Sequence, residues 1–311
     1  MISMRYHIVS LAAVFLALAL GIVLGATKIS SPLLTGLQGD NAALSSQQEE
    51  LSSANKDLTN RVTGDEKFAG SVGALAVRGT LPNTKVVVIT TAGADPADRD
   101  AVLSLLKRSG ATVTAQIQLT QDFSDPARAD ELRSLAVKTL PTGAKLPEVP
   151  QAAAIAGGLF SSVLIVPAGG KAATPEQSAA VLAALTSAGF ITVTGTPAPG
   201  QAVVLITGGE LTGGSEADRA AAPAYLANQL AQTATGVIVA GRAGSDQPTG
   251  TVGVIRGDTA LSGTVSTVDN VDTPTGRIAA VLGLVEQDGG GVGQYGLGAN
   301  AQAQAPTLAV G

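Results

Sequence analysis

The sequence has no cysteine and no tryptophan, and it holds only one histidine and two methionines. Without cysteine no disulfide can form, so the folded part of the chain must be held together by burial alone. The shortage bears on metals as well. Cu(I) prefers thiolate and thioether ligands, and imidazole serves Cu(II) and zinc. His7, Met1 and Met4 all stand at the extreme N-terminus, so the remainder of the chain has no conventional transition-metal ligand set. The same gap removes Cys–His and Ser–His pairs for nucleophilic catalysis. A Ser–Lys arrangement or paired carboxylates stay open, but no motif marks either. The expectation is a protein that is not an enzyme and carries no cofactor. Aromatic residues make up 3% and charged residues 14%, and the net charge is −5. Nucleic-acid binding needs a basic stripe, which is missing here.

What the chain does have is a long apolar run near its start. Ile8 to Ala26 carries no charge, and as a helix it would span about 28 Å, close to the hydrocarbon thickness of a bilayer. Arg5 and the amino terminus precede the run, while Lys28 follows it. Positive residues in short flanks tend to stay cytoplasmic. The expected layout is therefore a cytoplasmic N-terminus at 1–7, a single transmembrane anchor at 8–26 and everything later outside the cytoplasm. His7 reads as a polar residue at headgroup level. A cleaved signal peptide is the alternative, with Val23 and Gly25 at the cleavage site. Its apolar region would be shorter and its positive region stronger.

Next comes a leucine ladder. Leu37, Leu44, Leu51 and Leu58 recur every seven residues, the interval of a coiled-coil seam. With these at d, the a positions are Asn41, Gln48, Asn55 and Val62. Composition between 42 and 62 favours helix, and Gly64 and Gly70 are the expected stop signals. The reading is a short coiled-coil stalk over 33–68 that pairs two chains in parallel. The other reading is a single amphipathic helix folded back on its own domain.

From Lys85 the pattern alternates between strands and helices. Strands are expected at Lys85–Thr91, Thr112–Leu119, Ser162–Val166, Ile191–Thr194, Ala202–Thr207 and Val237–Ala240. Helices are expected to open at Asp95–Pro96, Asp125–Pro126, Thr174–Pro175, Ser215–Glu216 and Thr273–Pro274, where a capping residue stands, in four of the five before a helix-compatible proline. Continuous β-branched runs suit strands buried on both faces. The fold class is thus α/β, a Rossmann-like, doubly wound, mostly parallel sheet over 80–288. The stretch Pro141–Gly158 reads as a connection or flap, and 289–311 as a flexible Gly/Ala/Gln-rich tail. Short strands separated by helices also count against a transmembrane barrel.

Three places invite a functional reading. Gly291, Gly293 and Gly296 spell G-x-G-x-x-G, but they follow the last helix and lack the strand–turn–helix setting that the dinucleotide signature needs. Gly208 and Gly209 follow a strand and would line a ligand crevice at the carboxyl end of the sheet, or simply make a tight turn. Asp269 and Asp272 would serve acid–base chemistry or hold a hard cation. The plainer role for Asp272 is to cap the Pro274 helix, with Arg277 pairing with the two aspartates.

Three stretches together resemble a known family. They are the opening MISMRYHIVSLAAVFLALALGIVLG, the segment STVDNVDTPTGRIAAVLGL at Ser266–Leu284 and the GQYG at Gly293–Gly296. In order and placement they resemble the actinobacterial copper transport outer membrane protein family, MctB, which also takes in proteins termed SteB. The resemblance implies a role in copper efflux or homeostasis across the cell envelope, copper as the species handled, and the outer membrane as the location. For members termed SteB it implies a scaffold in cell-wall remodelling or division, with an envelope protein as partner. It transfers no functional residues.

Overall fold

The computed structural model describes residues 4–167, 170 and 172–307, and for residues 27–38 the backbone alone. Lys28 and Leu37, which entered the topology and ladder arguments, therefore lie outside the described side chains. The first element, α1, is one helix over Met4–Ala76. It runs straight through Gly64 and Gly70, which do not end it as expected. A Cβ at Gly64 would meet nothing within 4 Å, so an isolated glycine there weakens the helix without breaking it. The stretch Met4–Ala26 is long and apolar enough to cross a membrane. By internal packing the chain divides into residues 1–65 and 66–311.

The second unit is an α/β domain built on a seven-stranded mixed sheet. Its strands are β1 (Lys85–Thr90), β2 (Thr112–Leu119), β3 (Ile191–Thr194), β4 (Ala202–Ile206), β5 (Gly236–Ala240), β6 (Ser266–Val268) and β7 (Gln294–Tyr295). They lie in the order β3-β2-β1-β4-β5-β6-β7. Every pairing is parallel except β2 with the edge strand β3.

Alternation along the central strands splits the core in two. Val87, Ile89, Val203, Leu205, Val237 and Val239 face one hydrophobic cluster, and Val86, Val88, Val204, Ile206, Ile238 and Ala240 face the other. This two-sided burial is what the unbroken β-branched runs demanded. The helices are α2 (Pro96–Arg108), α3 (Ala129–Lys138), α4 (Ala152–Leu164), α5 (Pro175–Ser187), α6 (Glu216–Ala231), α7 (Thr251–Gly257), α8 (Thr259–Ser262) and α9 (Pro274–Asp288). Their starts follow from local chemistry. Asp95 accepts the Ala97 N–H at 2.8 Å to open α2, and Thr174 and Gln177 form a capping box on α5.

Four expectations need correction. Ser162–Val166 is not a strand: residues through Leu164 complete α4, and Ile165 makes only an isolated bridge to Gly200. A short apolar run cannot declare its own period. Here the helix wins because Gly157 and Gly158 let neighbours in close. A Cβ on Gly158 would stand 2.5 Å from Pro147 Cδ, and one on Gly157 2.7 Å from Gln229 Cβ. The last part of the expected flap, 152–158, is thus a buried helix. Second, with no strand there, α4 and α5 return the chain to β3 antiparallel to β2 instead of completing a parallel unit. Third, α7, α8, β6 and β7 complete the sheet beyond the strands that were foreseen.

The fourth concerns the limits of the domain, which exceed 80–288 at both ends. Ala69 and Val77 are buried at the close of α1. The expected flexible tail instead supplies β7, and Ala303 bridges back to Tyr295. Hydrogen bonds supply the order that its composition does not promise. The Gln302 N–H reaches the Gln294 carbonyl at 2.7 Å, and its side chain accepts the Gln294 N–H.

Candidate functional site

In open parallel sheets ligands gather outside the carboxyl ends of the strands, where the strand order reverses. Here that place lies between β1 and β4, and it is filled by backbone. A Cβ on Gly208 would come within 2.6 Å of the Gly93 carbonyl oxygen, and one on Gly209 within 2.7 Å of the Ala243 carbonyl oxygen. These glycines are required because three loops touch. In the turn leading to α6, Gly213, Gly214 and Ser215 all take positive φ. The Glu216 carboxylate accepts the Gly214 N–H at 2.7 Å. That bond is the main cause holding its carboxyl below the usual range. The chain's own carboxylate thus sits where a nucleotide fold would present its amides to a phosphate.

Charged side chains tie the same loops together. Asp98, in the first turn of α2, is buried. One of its oxygens accepts from Arg277 Nη2 at 2.8 Å, and the other lies 3.3 Å from Arg242 Nε without a hydrogen bond. Arg242 also donates to Asp95 at 2.8 Å. Arg277 further donates to the carbonyls of Val271 and Asp272. The expected pairing of Arg277 with Asp269 and Asp272 is therefore wrong. Its carboxylate partner comes from the far end of the chain.

Asp269 belongs to a second, deeper lock. It pairs with Arg256 at 2.6 Å, and both side chains are 3% exposed. Arg256 reaches Thr267, Asn300 and the Tyr295 carbonyl as well. Asp269 in turn accepts the backbone N–H groups of Leu297 and Gly298. Gly296 sits at φ +132°, and a Cβ there would strike Asp269 Oδ1. Nearby, the Tyr295 hydroxyl donates to Glu286. Burial first, and this bond second, push the tyrosine above its ordinary range.

The G-x-G-x-x-G of Gly291, Gly293 and Gly296 is thus part of a strap held by Asp269. Asp272 accepts the Ala243 N–H at 3.2 Å and does not cap α9. Thr273 does, accepting the Gly276 N–H at 3.1 Å. The reason is position: the cap must directly precede the first helical residue, and Asp272 stands one place too early.

A family profile described as "Copper transport outer membrane protein, MctB" matches residues 1–306. The chain belongs to the MctB family. Mycobacterium tuberculosis H37Rv has a relative named "Copper transporter MctB", 36% identical over 305 residues, covering 96% of this chain and 97% of the relative. A protein of the same name from Mycobacterium bovis matches equally, and one from Mycobacterium leprae is 37% identical over 308 residues. The MctB match takes in α1 and both C-terminal segments.

Those two segments prove to be one structural unit: Thr267 pairs with Gln294 and Val268 with Tyr295 where β6 meets β7, and the Asp269 N–H donates to the Tyr295 carbonyl. Of the four ligand-crevice residues, Asp269 and Asp272 come together around a cavity of about 240 Å³ that Ala243 also lines. Gly208 and Gly209 pack against the Gly93 and Ala243 carbonyls, and Asp269 is already bonded by Arg256, Leu297 and Gly298. Among the described residues no group of three His, Asp or Glu side chains is placed to hold a metal. Sequence reading missed Asp98, Arg242 and Arg256. The partners of Asp98 and Arg242 are distant in the chain, Arg256 meets Asp269 only 13 positions on, and no local signal announces either pairing.

The ladder positions lie in the first unit. Leu44, Leu51, Leu58 and Val62 are exposed by 63, 67, 58 and 55%, so more than half of each apolar side chain faces solvent. Asn41, Gln48 and Asn55 are exposed too.

Proposed function

We propose that this MctB-family chain is a membrane-anchored cell-envelope protein of copper homeostasis, with its α/β domain outside the cytoplasm. The single observation that carries the reading is similarity over nearly the whole chain to relatives named for copper transport. The domain acts in this reading without coordinating copper. It has neither cysteine nor histidine nor methionine, and its buried carboxylates are already paired. The strand order, with its reversal between β1 and β4, supports a Rossmann-like scaffold, which in this reading is not an enzyme. The anchor is retained in the cytoplasmic membrane with its N-terminus inside, rather than in the outer membrane that the family description names. A strain lacking the gene should grow poorly in copper and recover with the full-length chain. Undiminished copper tolerance on deletion would end this reading. Separating the two membranes should place the protein with the inner one.

A second reading has its own observation, the solvated stripe of Leu44, Leu51, Leu58 and Val62. Exposed leucines at a seven-residue interval favour a parallel homodimer that serves as a SteB-like scaffold for an envelope protein in cell-wall remodelling or division. Replacing Leu44 and Leu51 by asparagine should abolish crosslinked dimers in membranes. A division defect rescued with cellular copper unchanged would favour this reading over the first.

A further inference from the structure

Gly158, Ser161 and Ser162 fall at the spacing that shares one side of α4, and with Ile165, which follows the helix, they border a cavity of about 450 Å³. The turn Pro141–Lys145, Gln229 of α6 and Thr233 just beyond that helix share the lining. The volume lies within the roughly 300–1,000 Å³ of small-molecule sites.

Two features set this cavity apart from a packing gap. Ser161 is only 8% exposed, and its hydroxyl, closed off from solvent in this rotamer, has no hydrogen-bond partner. A helical serine ordinarily turns back to a carbonyl of the preceding turn, as the adjacent Ser162 does to Leu159 at 2.7 Å. A buried hydroxyl left unpaired asks for an explanation, and a bound partner is one. The second feature is charge. Among the described residues, Lys145 is the one ionic side chain in the lining, and none there is aspartate or glutamate. No ion pair among the described residues involves it. In a chain of net charge −5 this is a local inversion of sign. The amide of Gln229 and the hydroxyl of Thr142 add hydrogen-bonding capacity to the same walls.

We propose that this cavity is a binding site for a small molecule bearing an oxyanion, a carboxylate or a phosphate, with Lys145 supplying charge and Ser161, once its side chain turns toward the cavity, a hydroxyl donor. The inference stands apart from the copper reading and from the pairing of chains. It is tested by calorimetric titration of the full-length protein in detergent micelles. The probes are inorganic phosphate and succinate, with glucose as the neutral comparison. Phosphate or succinate should bind and glucose should not, and whichever anion binds more tightly identifies the class. Lys145→Ala should weaken that binding about tenfold. Ser161→Ala should also weaken it, yet leave the unliganded protein melting at the same temperature or higher, because a buried unpaired hydroxyl is removed. Absence of heat with both anions at about 10 mM, or affinity unchanged in both variants, would overturn the proposal.

Discussion

Arg256 and Asp269 show how much a single buried pair can decide. Breaking such a pair strands a charge away from water. Arg256→Ala should therefore lower the unfolding free energy by about 3–5 kcal/mol, measured by urea denaturation. Removing both charges together, as Arg256→Met with Asp269→Leu, should cost less than the single change. At the start of α9 the cap assignment makes a sharper test. Thr273→Ala should cost about 1 kcal/mol, and Asp272→Ala should cost less because it loses only the long bond from Ala243. Equal losses would return the capping role to Asp272. Sequence could nominate Asp269, Asp272 and Arg277 as chemically notable, because acids and bases stand out in a chain with few charges. It could not assign their partners. Arg277 and Asp98 lie 179 positions apart, and pairing over that distance is settled only when β1 and β6 take their places in one sheet.

Among the elements, those with chemical punctuation were legible. Capped helices α2, α5 and α9 and the β-branched strands β1, β4 and β5 begin close to where their residues say they should. Helix α4 was not, because Ala, Gly and Val in a continuous run fit a buried helix and a buried strand alike. Strand β7 was hidden inside a glycine-rich stretch whose order comes from Arg256 and Asp269, not from propensity. Its tyrosine gives a pH test. Folding raises the Tyr295 pKa above the unfolded value near 10, so its contribution is fully present below that pH. It is lost as pH rises, because the unfolded chain then gives up a proton that the folded chain keeps. Stability should fall above about pH 10, and Tyr295→Phe should flatten that part of the fall, as read from melting temperature against pH. In α1, Gly64→Ala should raise stability by about 0.5–1 kcal/mol, visible by circular dichroism, since nothing crowds the new methyl group.

For the molecule as a whole, periodicity was enough to announce an α/β domain behind an apolar N-terminal helix. The sense of β3 and the true limits of the domain escaped, since both depend on what packs where and not on local pattern. At the close of α1, Ala69 is buried, Gly73 lies against Ile278, and Val77 and Leu81 lie in the core. Those final turns are part of the domain's foundation and not a dispensable linker. A series of N-terminal deletions should accordingly yield a folded, protease-resistant product that begins at Glu66. Trimming onward to Lys85 should forfeit it, exposing the floor on which α2 and α9 rest.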